Sequence, residues 1–260
     1  MKIFFAPDYP NKEFYSLTHI INLLGYEVTL DSQEQFDCAF LWQDSTRLRC
    51  PDILLKINNT KPVINIGCTD ISKITVDKIC LRVFGYSNFL DPTTHTGVCV
   101  EKPDNNGVKG GKVISCPISQ TKTDCIYQHL IDSTIDGYQQ EYRVPIILGE
   151  LPIVSLVKQL PATDSLDFRT QLPPIPMEVA QVFSKSEQLQ IIDFCQQIKL
   201  DFGELDIVRC RHSQRLYILD ANKTSGGYGM LNYFHWQRAE KARVLNALAN
   251  TFDHQLTKLI

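Results

Sequence analysis

The sequence predicts an α/β protein in which a small parallel α/β lobe at the N-terminus is followed by lobes of the α+β kind. The first observation is a strand–helix–strand order, with apolar strands at Lys2–Ala6, Tyr26–Leu30 and Phe36–Trp42 and a helical period over Lys12–Leu24. Gly25 follows that period at the position where helices commonly end. The second observation is that short apolar runs separated by turn residues fill the rest of the chain, which favours antiparallel hairpins.

Two more apolar segments, Ile53–Lys56 and Pro62–Ile66, are predicted as strands that complete the N-terminal lobe. The next lobe is expected to begin with a helix over Ser72–Val83. A strand at Gly97–Val100 then leads into a polar, glycine-containing loop, 104–111, which is followed by another apolar run. This order predicts two strands joined by a glycine loop.

The last part of the chain predicts a further hairpin and two helices. Glu141–Leu148 and Ile153–Val157 flank a turn and form the predicted hairpin. A capping-box pattern at 184–187 precedes a helix at Gln188–Ile198, and apolar residues at helical spacing predict a closing helix over 233–259. We therefore expect three lobes, at residues 1–71, 72–126 and 127–260.

Composition excludes several classes of function. The chain has 260 residues, of which 43% are hydrophobic and 21% charged, as in ordinary globular proteins. Its net charge of -3 gives no basic field for nucleic acid, and no apolar run approaches the length of a membrane span. The nine cysteines form no CxxC pair and stand mostly in apolar runs. We therefore expect reduced thiols in a cytoplasmic protein that binds neither nucleic acid nor membrane.

Two apolar runs near the C-terminal end, 205–209 and 217–222, carry residues that suit a metal ion. Asp220 and Asn222 share a face, because side chains at i and i+2 of a strand point the same way. Pairing of the two strands can bring Asp206 beside them. Three oxygen-bearing side chains suit a hard cation such as Mg²⁺. Surface carboxylates at strand ends are the alternative interpretation of these residues.

Basic residues upstream indicate a site for phosphate or carboxylate. Lys102 stands just before the glycine loop, whose backbone N–H groups can hold phosphate. Arg143, Lys158 and Arg169 lie in or after neighbouring predicted strands and can pair with the same anions. The loop does not match the Walker pattern, so a P-loop NTPase is not expected. A flexible surface hairpin and ordinary solvated charge remain the alternatives for these two features.

Three features follow one another along the chain: Lys102 with the glycine loop, the basic residues, and the predicted metal residues. In this order they resemble the ATP-grasp superfamily, and within it the glutathione-synthetase-like and ribosomal-protein glutamate-ligase-like branch. The resemblance covers roughly residues 1–250 and rests on the order and spacing of motifs that are weak singly. It implies the ATP-grasp fold, with ATP between the central and C-terminal lobes. The residues that match the family's nucleotide-binding positions are Lys78 in a helix, Lys102, Asn106, Gly107 and Gly110 in the strand and phosphate loop, Gln128, His129 and Leu130 in the hinge strand, and Glu141 at the ribose.

The resemblance also implies an activity. It is that of an ATP- and Mg²⁺-dependent carboxylate–amine ligase, which works through an acylphosphate and forms ADP and phosphate. Mg²⁺, or Mn²⁺ in its place, would be held by Asp206, Asp220 and Asn222, and the catalytic residues would be Arg143, Arg169 and Lys158. The partners would be a small-molecule or peptide carboxylate and an amine.

Two other functions stay open from the sequence, a phosphotransferase acting on a small hydroxyl substrate and a non-catalytic nucleotide-binding module. A monomer and a homodimer are both compatible with the pattern. The sequence also departs from the family at Gln128, where an acidic residue is frequent, and at 225–227, where a proline-containing turn is usual. Pro173 and Pro174 stand where a glycine pair often occurs, in the segment expected to recognise the acceptor.

Overall fold

A computed structural model describes residues 1–108, 110–160, 172–226 and 238–260 of the chain. The described elements are, in chain order, β1 (Lys2–Pro7), α1 (Ser16–Leu24), β2 (Glu27–Thr29), β3 (Cys38–Trp42), α2 (Asp52–Ile57), β4 (Val63–Ile64), α3 (Lys73–Phe84), β5 (Gly97–Pro103), β6 (Lys112–Cys116), β7 (Cys125–His129), β8 (Thr134–Ile135), β9 (Tyr138–Ile147), β10 (Val154–Gln159), β11 (Ile175–Met177), α4 (Val179–Val182), α5 (Lys185–Ile198), β12 (Phe202–Arg209), β13 (Leu216–Asn222) and α6 (Arg238–Leu259). Within these ranges no helix has the length and apolar character needed to cross a bilayer.

The N-terminal sheet is parallel, as the strand–helix–strand order predicts. Its strand order is β2-β1-β3-β4. Helix α1 packs with α6, from the end of the chain, and their side chains Leu17, Ile20, Val244 and Phe252 are completely buried in the core they share with the sheet. Every residue of β3 is buried, as expected for an inner strand of a parallel sheet that is covered on both faces.

The segment predicted as a strand at Ile53–Lys56 is instead part of helix α2. Pro51 occupies the position before the helix with φ -60° and ψ 138°, a conformation that suits a helix start. Leu54 is completely buried, while the apolar residues on both sides of it are exposed. The prediction was wrong because three consecutive apolar residues do not distinguish a buried strand from one turn of helix.

The second sheet has three antiparallel strands in the order β6-β5-β7. The buried carboxylate of Glu101 on β5 contacts side chains from both neighbouring strands of this sheet. Its Oε1 lies 3.2 Å from Lys112 Nζ and 2.6 Å from Lys122 Nζ, and the Tyr127 hydroxyl donates to Oε2 at 3.1 Å. Because β7 belongs to this sheet, the lobe boundary predicted after residue 126 falls inside a strand.

The third sheet is antiparallel, and helices α3 and α5 cover one of its faces. Its strand order is β11-β10-β9-β12-β13, and β8 pairs with β9. Helices α3 and α5 contact each other and pack against the sheet, so that Ile79, Phe194, Leu205 and Ile207 are buried together. The predicted hairpin near residue 149 is formed by β9 and β10.

Helices α3 and α5 begin at the residues that the sequence marks for this purpose. The hydroxyl of Ser72 accepts from the N–H of Thr75 at 3.4 Å, and Ser184 with Glu187 forms both halves of the capping box. Gly85 ends α3 with a φ of 78°. The closing helix is described from Arg238 onwards, and the predicted residues 233–237 lie outside the described part of the chain.

Asn65 joins the N-terminal sheet to the third sheet. Its Oδ1 accepts from the N–H groups of Asp201 and Phe202 at 2.8 and 2.9 Å, and its Nδ2 donates to the Phe202 carbonyl at 2.8 Å. The Asn65 N–H donates to the Asp201 carboxylate at 2.7 Å. Asn65 is completely buried, so these four hydrogen bonds fix the end of β4 against the start of β12.

Candidate active site

A cleft of about 430 Å³ lies between the second and third sheets. Its walls come from the first turn of α3, from β5 and the glycine loop, from β7, and from one face of β9, β10, β12 and β13. Helices α3 and α5 cover the other face of those last strands. Because side chains alternate along a strand, Asp206, Asp220 and Asn222 line the cleft, whereas Leu205 and Ile207 enter the core.

The register of β12 with β13 brings together the residues predicted to bind a metal ion. Asp206 pairs directly with Asp220, and Glu204 pairs with Asn222. A bulge beyond Asp206 leaves Leu219 as an extra residue, so that Leu219 and Asp220 both line the cleft. The structure therefore places the three predicted metal residues side by side at one wall of the cleft.

Arg143 is surrounded by three carboxylates in this wall. Strand β9 pairs with β12 so that Arg143 lies opposite Asp206. The Arg143 guanidinium is 2.5 Å from Asp206 Oδ1, 2.8 Å from Glu141 Oε1 and 3.7 Å from Glu204 Oε1. Burial raises the pKa of Asp206 well above its usual range; Arg143 opposes this shift and the neighbouring carboxylates add to it. An excess of buried carboxylates of this kind favours a bound cation.

Lys73, the first residue of α3, is the lysine that this helix brings to the cleft. It is only 5% exposed, and its Nζ lies 3.2 Å from Asp220 Oδ1 and donates to the Asn105 carbonyl at 3.0 Å. A lysine at a helix N-terminus is electrostatically unfavourable, because the helix dipole is positive there. Its presence at this position therefore needs another reason, which the cleft provides.

The structure corrects the prediction for Lys78. This residue is exposed on α3 and is not among the described residues that line the cleft. Lys78 follows Lys73 by five positions, which is about 140° around a helix, so the two side chains lie on different faces. The neighbour of Lys78, Asp77, is buried and accepts hydrogen bonds from the Ser87 hydroxyl and the Asn88 N–H.

The glycine loop contacts Asn222, one of the predicted metal residues, through Asn106. The Nδ2 of Asn106 donates to Asn222 Oδ1 at 2.7 Å and to the Ala221 carbonyl at 3.0 Å. Its N–H donates to the Thr46 hydroxyl of the N-terminal lobe at 2.9 Å. Asn106 therefore lies where the phosphate loop was expected, at the point where all three sheets approach one another.

Lys102 and the glycines of the loop lie on the same side of the cleft. Lys102 and Gly107 line it, and Gly110 lies beside the lining residue Gly111. Gly107 and Gly110 adopt φ values of 70° and 122°, in the region that glycine enters without strain. A loop of this kind offers backbone N–H groups, and Lys102 adds a positive charge next to them.

The predicted hinge residues Gln128, His129 and Leu130 line the cleft, and Asn88 lies against them. The Asn88 carbonyl accepts from the His129 N–H at 2.8 Å. The Asn88 side chain is buried, and in the described structure neither its Nδ2 nor its Oδ1 has a hydrogen-bond partner. A buried amide without partners is costly, and a ligand that carries both a donor and an acceptor would satisfy this one.

The predicted catalytic residue Lys158 is not brought to the cleft, and Arg169 lies outside the described part of the chain. Lys158 on β10 pairs with Gln140 and is not a lining residue, whereas its neighbour Gln159 is one. Successive side chains of a strand point to opposite faces, and Gln159 occupies the cleft side. The role of Arg169 stays a prediction.

Three residues that contribute to this site were not predicted from the sequence: Lys73, Asn88 and Glu204. A signal existed for Glu204, because it stands two positions before Asp206 and shares its face of the strand. Gly203, next to it, permits close packing, since a Cβ there would lie 2.3 Å from the Asn222 carbonyl oxygen. Lys73 and Asn88 follow no spacing that could have identified them.

Asp206, Asp220 and Asn222 fit a hard cation that keeps part of its shell for other ligands. Mg²⁺ binds carboxylate and amide oxygens and usually retains water or substrate phosphate as well. Across the described ranges, no group of three or more His, Cys, Asp or Glu side chains is arranged to hold a metal ion, so the amide of Asn222 would have to serve as a ligand beside the two carboxylates. Asp206 and Asp220 already face Arg143 and Lys73, so a bound metal ion would share these carboxylates with cations of the protein.

Known structures resemble this chain over almost its whole length, although no protein-family model and no curated protein matches it. The ATP-grasp ligase PsnB, complexed with a minimal precursor, Mg and ADP, is 12% identical with a TM-score of 0.58, covering 98% of each chain. The macrocyclase MdnC from Microcystis aeruginosa MRC, bound with the precursor peptide MdnA, is 14% identical with a TM-score of 0.50, covering 97% of this chain and 99% of MdnC.

A third similar structure is the D-alanine–D-alanine ligase from Bacillus anthracis, complexed with ATP. It is 12% identical with a TM-score of 0.53, and the match covers 99% of this chain and 96% of the ligase. At such low identity these likenesses show the fold. They confirm the fold class that the sequence predicts.

Proposed function

We propose that this chain, which has the ATP-grasp fold, is an ATP- and Mg²⁺-dependent ligase that joins a carboxylate to an amine and forms ADP and phosphate. The observation that supports this most is the convergence of three cations, Lys73, Lys102 and Arg143, with the predicted metal residues in one cleft. Phosphate groups require the cations, and a divalent metal ion requires the carboxylates. A site for phosphate alone, or for metal alone, would not need both sets.

ATP would bind with its base near Asn88 and the hinge strand and with its phosphates towards the two lysines. The amide of Asn88 offers the donor and the acceptor that an adenine edge can use. Lys73, Lys102 and the N–H groups of the glycine loop would hold the phosphates. Glu141 would accept hydrogen bonds from the ribose hydroxyls.

In the proposed reaction, a carboxylate oxygen of the substrate attacks the γ-phosphorus of ATP, and ADP leaves. The amine then attacks the carbonyl carbon of the acylphosphate, the bond from that carbon to the phosphate oxygen breaks, and phosphate and a proton are released. Arg143 would stabilise the negative charge that develops on the transferred phosphoryl group and on the tetrahedral intermediate. Mg²⁺, when bound to Asp206, Asp220 and Asn222, would offset phosphate charge. The chain itself mainly positions the reactants.

Replacing both Asp220 and Asn222 with alanine tests the metal assignment. We expect the affinity for AMPPNP to become independent of Mg²⁺ and ATP turnover to fall by about 100-fold or more, because the phosphates lose their metal contact. Calorimetric titration of AMPPNP with and without Mg²⁺ measures this. The matched control replaces Asp193 and Gln197, an exposed carboxylate–amide pair on α5, with alanine. Mg²⁺-dependent binding that persists in the Asp220/Asn222 variant would show that the metal lies elsewhere.

Replacing Asn88 with leucine is expected to have opposite effects on binding and on stability. The affinity for AMPPNP should fall by about tenfold, as for the loss of one or two hydrogen bonds. The free energy of unfolding should stay equal or rise, because an apolar group of similar size replaces an amide that has no partner in the described structure. Calorimetry and denaturant unfolding measure the two quantities. A clear loss of stability with unchanged affinity would assign Asn88 to the fold instead of the ligand.

The products distinguish the ligase from a phosphotransferase. Hydroxylamine converts an acylphosphate into a hydroxamate, whereas a phosphoester on a hydroxyl does not react in this way. PsnB was complexed with the precursor peptide PsnA2 in one structure, and MdnC was bound with the precursor peptide MdnA, which supports a peptide as one substrate of this chain too. Peptides rich in Asp, Glu and Lys, incubated with ATP, Mg²⁺ and hydroxylamine, are therefore the first mixtures to assay for hydroxamate.

A further inference from the structure

A second cleft, of about 580 Å³, adjoins the one proposed to bind ATP. The two clefts share the glycine-loop residues 106–108 and Asn222 as a common wall. The rest of the second cleft is lined mainly by the N-terminal loop 44–47 and by Thr224. A molecule in the second cleft would therefore meet a nucleotide across the phosphate loop and the predicted metal ligand.

Asp44 is the charged group that the second cleft presents to a ligand. The hydroxyl of Thr224 donates to Asp44 Oδ1 at 3.1 Å, and Asp44 is exposed. No ion pair of Asp44 occurs among residues 1–108, 110–160, 172–226 and 238–260. Ser45, its neighbour in the same wall, has a buried hydroxyl without a hydrogen-bond partner in this part of the chain. Carboxylate and hydroxyl oxygens of this kind suit an ammonium group.

The cations near this cleft do not cancel the charge of Asp44. Arg47 also lines the cleft, but its guanidinium is 2.5 Å from Asp104 Oδ2 and 3.5 Å from Asp70 Oδ2. Lys223, which is buried, interacts electrostatically with both Asp44 and Asp70. The three carboxylates of Asp44, Asp70 and Asp104 thus outnumber the two cations, Arg47 and Lys223. One negative charge is left. A carboxylate substrate would be repelled here, whereas a cationic one would be attracted.

We propose that the second cleft binds the amine substrate as its ammonium form, with Asp44 as the recognising carboxylate. This inference rests on the proposed ligase function and adds the place and chemical class of one substrate, a primary amine such as a lysine side chain. Asp44 acts as a specificity-determining residue, because it contacts the amine and selects it from neutral or acidic molecules. The shared wall places that amine next to the site where the acylphosphate would form.

The experiment titrates two probes of equal shape, Nα-acetyl-lysine methylamide and its norleucine counterpart, which lacks the ammonium group. Saturation-transfer NMR measures their binding to the wild-type protein with and without AMPPNP and Mg²⁺. We expect the lysine probe to bind at least about tenfold more tightly than the norleucine probe. We expect Asp44→Asn to remove this difference and Asp44→Glu, which keeps the charge, to retain most of it.

Two controls separate this proposal from the proposed function. Asp52→Asn removes an exposed carboxylate of the same lobe outside both clefts, and it should not change binding of the lysine probe. Asp44 does not line the first cleft, so Asp44→Asn should bind AMPPNP like the wild type and unfold at the same temperature. Equal affinity of wild type and Asp44→Asn for the lysine probe, or of the two probes for the wild type, overturns the proposal. Absence of AMPPNP binding in the wild type contradicts the proposed function instead.

Discussion

Replacing Lys73 with methionine is expected to weaken AMPPNP binding by about tenfold or more and to lower ATP turnover by about 100-fold, while Lys78→Met changes neither by more than about twofold. Lys73 is almost completely buried at the N-terminus of α3 and lies 3.2 Å from Asp220 Oδ1. Its charge acts in a poorly solvated cleft, where electrostatic interactions are stronger than in water. Lys78 is exposed, so water already screens its charge.

The pair of variants is a matched comparison, because both replace a lysine of the same helix with the same residue. Calorimetry with AMPPNP gives the affinity, and circular dichroism shows whether each variant keeps its helices. Lys73→Arg serves as a further control that preserves the charge but changes its shape. If Lys78→Met lost as much affinity as Lys73→Met, the nucleotide would have to lie on the outer face of α3.

Replacing Arg143 with methionine is expected to cost about 3–5 kcal/mol of unfolding free energy, the usual effect of removing one partner from a buried ion pair. The methionine fills much of the space but leaves Glu141, Glu204 and Asp206 without their shared guanidinium. The loss should be larger at pH 8 than at pH 5. At the lower pH the unpaired carboxyl groups can take up a proton, which removes the uncompensated charge.

Denaturant unfolding of wild type and variant at the two pH values measures this effect. Arg211→Met is the control, since Arg211 pairs with Asp132 at an exposed site and should contribute less than about 1 kcal/mol. Adding Glu204→Gln to Arg143→Met should recover part of the stability, because it removes one of the unpaired charges. A loss of less than about 1 kcal/mol at pH 8 would mean that Arg143 does not stabilise the charged carboxylates beside it.

The grouping of Asp206, Asp220 and Asn222 could be predicted from the sequence because the rule that brings them together is local. Asp220 and Asn222 share a strand face by alternation, and a short connection pairs their strand with the one that carries Asp206. The same rule places Arg143 and Glu141 on one face of the neighbouring strand β9. The helix starts at Ser72 and Ser184 were equally predictable, since capping depends on residues only three positions apart.

The lysine of α3 could not be predicted in this way. Whether Lys73 or Lys78 reaches the cleft depends on how α3 is rotated against the third sheet, and that rotation follows from packing of residues distant in the sequence, such as Ile79 and Phe194. Asn88 lies outside regular structure, so no period marks it. The strand predicted at Ile53–Lys56 failed for a related reason, because only the tertiary structure shows that Leu54 alone is buried.

The hydrogen bonds of Asn65 hold together two of the three walls of the second cleft, the 44–47 loop and the segment that carries Thr224. Two of these four bonds are buried and two are partly buried, and together they tie the N-terminal sheet to the third sheet, whose strands lead into Asp44 and Thr224 respectively. The third wall is held differently, by partly buried bonds from Asn106 to Thr46 and Asn222. Bonds that water can reach open more readily than buried ones. We therefore expect the glycine-loop wall to open more readily than the other two walls, whose separation sets the width of the second cleft.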